Sequence, residues 1–251
     1  MVSDPAPPVT VSATTVQGLP EIRPGDDLAA LIAARCAVQA GDVVVVAHKA
    51  LSKSEGRIVR LVDVRPSERA IALAHDQGKD PRVVQVVLDE SAEVLRAVER
   101  VLVCRTRHGF VCANAGVDAS NAAADGELVL LPVDPDASAR ALRAALPGRP
   151  AVVVTDSFGR AWRLGQCDVA IGVAGLAPLA DWRGRPDAAG RRLNATVIAV
   201  ADQAAAAADL ARDKDSQQPV VVVRGLERFV TGDDGPGAQA LLRPAADDLF
   251  L

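Results

Sequence analysis

Val152, Val153 and Val154 form a β-branched run that breaks off at Thr155-Asp156-Ser157, and this junction constrains the chain more than any other stretch. Such a run reads as a buried strand. The polar triplet ends it, and Phe158-Gly159-Arg160 turns the chain. A carboxylate flanked by hydroxyls at a strand end offers the hard oxygen ligands that Mg²⁺ or Mn²⁺ takes. Arg160 and Arg163 follow as planar forks suited to phosphate or carboxylate. The plainer alternative is a turn capped by Asp156 with two surface arginines, and this stretch alone does not separate the two.

A second continuous apolar run covers residues 43–47, the pattern of a strand buried on both faces. It ends in His48-Lys49, with Lys53 close behind. The two lysines can hold phosphates as point charges, although a solvated pair is the commoner fate. A third site lies in Phe110 to Asn121. Small residues around Asn114 and Gly116 let the backbone approach a ligand. Asp118 and Asn121 are three apart and would share a face on a helical turn, and Asp118 is a candidate second hard ligand to pair with Asp156. An Asx turn is the alternative. His108 is a candidate general base with no partner in view. No GxxxxGK[ST] and no GxGxxG after a strand occurs, which removes the P-loop and dinucleotide-binding readings.

The rest of the chain reads as strands over 9–16, 101–106, 126–132, 196–201 and 220–223. Helices are expected over 28–40 (capped by Asp26 or Asp27), 66–74, 83–100, 138–146 and 204–211. Residues 1–8 and the Gly-rich 231–237 read as loose, and 179–192 as a polar excursion. Strands and helices mix without a βαβ rhythm, so the fold class is α+β. The 251 residues carry 49% hydrophobic side chains, enough for one large domain or two small ones. A net charge of −4, 2% aromatics and no tyrosine argue against a general nucleic-acid surface. The four cysteines form no CxxC pair and read as free thiols of a reducing cytosol. No apolar run is long enough for a membrane span and the N-terminus does not read as a signal peptide, so a cytoplasmic protein is expected.

Taken together, these blocks resemble the coenzyme F420-0:L-glutamate ligase (F420 γ-glutamyl ligase) family. The resemblance is carried by Gly18-Leu-Pro-Glu-Ile22, Ser52-Lys-Ser-Glu-Gly-Arg57, Gly109-Phe-Val-Cys-Ala-Asn-Ala-Gly-Val-Asp118, Thr155-Asp-Ser-Phe-Gly-Arg160, Asp181-Trp-Arg-Gly184 and Asp248-Leu-Phe250, in this order over nearly the whole chain. It implies a mixed-sheet α+β domain over residues 1–251, without the C-terminal nitroreductase-like domain of some relatives, and an intertwined homodimer. It also implies a GTP-dependent ligase that joins one or more γ-linked L-glutamates to coenzyme F420-0 through an acyl phosphate. Two divalent cations, Mg²⁺ or Mn²⁺, and K⁺ would assist.

Carried over by position, the resemblance places Asp118 and Asp156 on one metal, Ser157 on the second, and Asp156 and Arg160 in the chemistry. Nucleotide contacts fall on Leu19, Pro20, Glu21, Ile22, His48, Lys49, Lys53 and Asn121, and on Arg212, Asp213, Lys214, Asp215, Ser216, Gln217, Gln218 and Pro219. The chain departs from the family at Lys214, where an acidic or amide ligand of the second metal would align, and at Gln203, where Glu is usual. Either Asp213 or Asp215 substitutes, or Lys214 supplies the second cation's charge. A metal-dependent hydrolase or phosphatase and a non-catalytic F420-binding subunit are the rival readings.

Overall fold

The computed structural model describes residues 9–99, 101–120 and 124–249. From the N-terminus, β1 (Ser12–Thr15) leads to α1 (Leu28–Ala33), which Asp27 caps by accepting from the Ala30 amide. Then come β2 (Val43–Ala47), α2 (His48–Ser54), β3 (Ile58–Arg60), α3 (Glu68–Gln77) and α4 (Pro81–Glu90). β4 (Ser91–Val98), β5 (Val101–Thr106), β6 (Val111–Ala113) and β7 (Glu127–Val129) follow, and then α5 (Pro135–Ala145). The long β8 (Ala151–Arg160) and β9 (Arg163–Ala174) precede β10 (Leu179–Asp181), β11 (Val197–Ala199), α6 (Val200–Ala211) and β12 (Val220–Arg224).

Five strands form the central sheet in the order β1-β12-β2-β8-β9, mixed because β2 and β8 are parallel and the other pairs antiparallel. The valine runs occupy its middle, and strand alternation divides them between two cores. Val44, Val46, Val152 and Val154 face Leu28 and Ile32 of α1, Leu51 of α2 and Leu142 of α5. Val43, Val45, Val153, Val221 and Val223 face Ala201, Ala204, Ala205 and Ala208 of α6. Both faces are covered, which is why these strands read as unbroken apolar runs. The α6 alanines carry small side chains, so this helix packs close to the valines. Close approach also decides Gly172 of β9, where an added Cβ would collide with the Pro135 carbonyl oxygen of α5.

A three-stranded antiparallel sheet, β4-β5-β6, packs on α3 and α4 around Leu102, Val84, Val87 and Ala74, and β3 pairs with β7 beside it. The mixed α+β class expected from the sequence is therefore observed. Among the described residues no helix is long and apolar enough to cross a membrane.

Several expected boundaries differ. Residues 83–100 do not form one helix: α4 ends at Glu90 and the chain continues as β4, because pairing with β5 outweighs the helical spacing of its valines. The first helix stops at Ala33 and not at residue 40. The organising strand does not stop at Thr155, and Phe158-Gly159-Arg160 is not a turn. β8 runs to Arg160 because its polar half is paired with β9, and the hairpin turns at Ala161-Trp162. Asp156 therefore lies within a strand and caps no turn. Asp118 is in an isolated bridge with Val129 and not on a helical turn, and residues 1–8 and Asn121 lie outside the described residues. The Gly-rich 231–237 is strapped down: the buried Arg143 pairs with Asp234 at 2.7 Å and donates to the Thr231 and Gly232 carbonyl oxygens.

Candidate functional site

Parallel pairing of β2 with β8 sets the site, because its register puts Ala47 beside Thr155. The residues that follow, His48-Lys49 at the start of α2 and Asp156-Ser157 further along β8, therefore lie side by side where β2 ends. Ligands of sheets with parallel strands gather at such ends. The Ala47 amide also donates to the Pro219 carbonyl oxygen at 2.8 Å, which ties the 212–219 loop to this end.

His48 is 2% exposed, and its Nε2 lies 3.4 Å from Asp156 Oδ1 without forming a hydrogen bond. Its Nδ1 is 3.3 Å from the Ser52 hydroxyl, one turn along α2. A buried ring nitrogen without a partner, aimed at a carboxylate, marks a place prepared for something polar. Asp156 also accepts from the Ser157 amide at 2.8 Å.

Beside it, Lys49 Nζ lies 2.6 Å from Asp118 Oδ2 and donates to the Ser120 hydroxyl at 2.6 Å. Burial pushes the Asp118 carboxyl up, but Lys49 and the Ser120 hydrogen bond outweigh it and hold the group below its ordinary value. Lys53, also nearly buried, reaches back to Glu21 at 2.5 Å. That contact joins α2 to the Leu19–Ile22 segment. Leu19 and Ile22 turn into the core, while Pro20 and Glu21 line an open hollow of about 430 Å³ with Arg23, Asp26 and Asp27. Three carboxylates against one arginine make this hollow a poor seat for phosphates.

On the other side of Ser157 lies an ionic cluster in which Arg212 and Lys214, expected from the sequence, meet Asp168 and Asp209, which sequence reasoning missed. Asp168 of β9 is almost fully buried. It accepts from the Thr155 hydroxyl at 2.8 Å and the Ser157 hydroxyl at 2.6 Å, and pairs with the Arg212 guanidinium. Its burial raises the carboxyl, yet Arg212 and the two hydroxyls leave it net lowered. Lys214 Nζ reaches the Ser157 hydroxyl at 2.6 Å and Asp209 at 3.4 Å. The signal available in the sequence was a lone carboxylate in the otherwise apolar 167–174.

The remaining expected residues are placed less centrally. Arg160 lies four residues beyond Asp156 along β8, and its guanidinium donates to the Leu164 carbonyl oxygen at 2.6 Å. Asp213 and Asp215 are exposed, and their carboxylates meet no partner among the described residues. Ser216 and Gln218 are half-buried, Gln217 takes a left-handed φ of 55°, and Gln203 is exposed on α6. His108 donates from Nε2 to the Pro132 carbonyl oxygen at 2.9 Å and stacks on Phe110, which makes it a structural residue. Of the four thiols, Cys104 and Cys112 are buried and all are free, and burial together with nearby Asp156 pushes Cys112 up to about 12. No group of three or more His, Cys, Asp and Glu side chains is gathered for a metal among the described residues.

Ammonium and guanidinium groups, each paired with a carboxylate, and several hydroxyls gather where β2 ends beside β8, and this cluster is the polar site of the fold. The chain matches the F420-0:Gamma-glutamyl ligase family over residues 18–225 and belongs to it. It is 42% identical to the Coenzyme F420:L-glutamate ligase of Methanothermobacter thermautotrophicus over 250 residues, 96% of this chain and 98% of that one. It is 48% identical to the enzyme of that name from Archaeoglobus fulgidus, over 86% and 88% of the two chains. For the one from Natronomonas pharaonis the identity is 46%, over 95% and 94%.

Proposed function

We propose that this chain is a ligase that joins L-glutamate to coenzyme F420-0, with GTP as the energy source. The observation that carries this reading is the parallel β2–β8 pair, which brings the lysines of α2 and the Asp156-Ser157 pair to one edge of the sheet. Making an amide from a carboxylate and an amine in water needs an activated carboxyl. A carboxylate oxygen of F420-0 attacks the γ-phosphorus of GTP and GDP leaves. The glutamate amine then attacks the acyl carbon, phosphate leaves and the amine gives up a proton.

Carboxylate and triphosphate repel, so the site must offset their charge. Lys49 and Lys53 serve the phosphates as point charges, with Lys53 exchanging its Glu21 contact for nucleotide. Asp118 and Asp156 would hold one hard divalent ion, Mg²⁺ or Mn²⁺, as the family resemblance implies, with its remaining positions left to phosphate and water. Such an ion would polarise the γ-phosphate. The Ser157 amide holds Asp156, Lys49 orients Asp118, and the Ser157 hydroxyl is held by Asp168. We extend the reading to K⁺ as an aid and to a homodimer, in line with the family resemblance.

The test is the mass of F420-0 after incubation with the protein, L-glutamate, GTP and Mn²⁺. The expected result is a gain of one or more glutamyl units that is lost when GTP is left out. F420-0 that stays bound but unmodified would instead support a non-catalytic binding subunit.

A further inference from the structure

Ser157 Oγ from β8, Asp168 from β9 and Asp209 from α6 converge at one point from three elements. Oxygens gathered in this way from separate elements are what a divalent cation takes. Here an ammonium fills the position. Lys214 Nζ is 2.6 Å from Ser157 Oγ, 3.4 Å from Asp209 Oδ1 and 3.8 Å from Asp168 Oδ1. It has three protons to give and no lone pair for a metal. The Ser157 hydroxyl spends its proton on Asp168 and a lone pair on Lys214. Asp168 is engaged with Arg212 and with the Thr155 and Ser157 hydroxyls. The adjacent Asp213 and Asp215, the other candidates to hold a cation here, leave their side chains exposed. The residues present therefore do not fit a second divalent ion.

We propose that Lys214 is a built-in cation, holding with its ammonium the place beside Ser157 that a second divalent ion would occupy. Each protomer then takes one divalent ion, at Asp118 and Asp156. The positive charge that faces substrate phosphate from the Ser157 side belongs to the polypeptide and does not vary with metal supply. This inference rests on the ligase reading for the identity of the phosphate and for the one divalent ion at Asp118 and Asp156; that no second ion binds beside Ser157 does not depend on it.

The experiment is a titration of the full chain with Mn²⁺ alone, in which the electron paramagnetic resonance signal of the free ion counts bound ions per chain. Wild type and Lys214→Arg should bind one. Lys214→Glu, which adds a carboxylate to the three oxygens and removes the ammonium, should bind two. Lys214 is largely exposed, so these variants are expected to fold, and circular dichroism checks that they do. Two ions bound by wild type, or no gain in Lys214→Glu, overturns the proposal. The glutamylation assay is separate. A chain that adds glutamate but binds two ions refutes this inference alone, and one that adds none yet gains an ion in Lys214→Glu refutes the ligase reading alone.

Discussion

His48 and Asp156 show how individual residues divide the work. The imidazole is buried beneath the carboxylate at 3.4 Å and holds no hydrogen bond through that nitrogen. Asp156→Asn keeps the shape of the side chain, its contact with the Ser157 amide and its place in β8. It removes one negative charge from the proposed cation site. Turnover should fall by about 10²-fold or more, the scale seen when one preorganised electrostatic group is lost from an active site, while circular dichroism and the melting temperature stay close to wild type. Activity within a few-fold of wild type would overturn the metal role of Asp156. At this scale the sequence was partly legible. Asp156, Ser157 and Lys49 stood out because polar groups followed apolar runs, and Asp118 through its spacing to Asn121. Asp168 did not, because its partners Thr155 and Arg212 lie 13 and 44 residues away in sequence.

Secondary-structure elements were legible where packing and local preference agree. Four valines in a row made β2 unmistakable, and two cores cover it. They were illegible where a partner decides. β4 carries apolar residues at helical spacing but becomes a strand because β5 lies alongside, and the polar half of β8 is a strand only because β9 pairs with it. The Asp168–Arg212 pair joins β9 to the loop after α6, and it is a pH-dependent element contact. Burial raises the Asp168 carboxyl, but Arg212 and two hydroxyls lower it further, so its folded value lies below the unfolded one. A depressed carboxyl contributes stability that is present above its unfolded value and lost as pH falls through the folded one. The melting temperature should therefore drop below about pH 4. Asp168→Asn should flatten that acid limb and cost about 3 kcal/mol at neutral pH, because it strands a nearly buried guanidinium. Melting curves against pH for both proteins check this, and an unchanged acid limb in the variant would refute it.

For the whole molecule, the class of fold was legible from mixed patterning, but the order of strands was not, since no local signal tells β12 to enter between β1 and β2. The hairpin of β8 and β9 ends in Trp162 and Leu164, which are 87% and 95% exposed. Large apolar groups at a projecting tip fit burial against a second copy, as the proposed homodimer requires. Light scattering should give twice the 26.0 kDa of one chain. Leu164→Asp should shift the mass toward a single chain, and a wild-type mass of one chain would rule the dimer out.

The place of β12 also bears on synthesis. It pairs with β1 on one side and β2 on the other, although it is made after both and after every other strand among the described residues. Until Val220–Arg224 has left the ribosome, β1 and β2 have no neighbour between them and each shows an open edge of backbone donors and acceptors. The growing chain must carry those edges through more than 170 residues of translation. Its exposure to wrong pairing therefore lasts until β12 emerges, and a message truncated ahead of Val220 yields a polypeptide with a slot where a strand belongs.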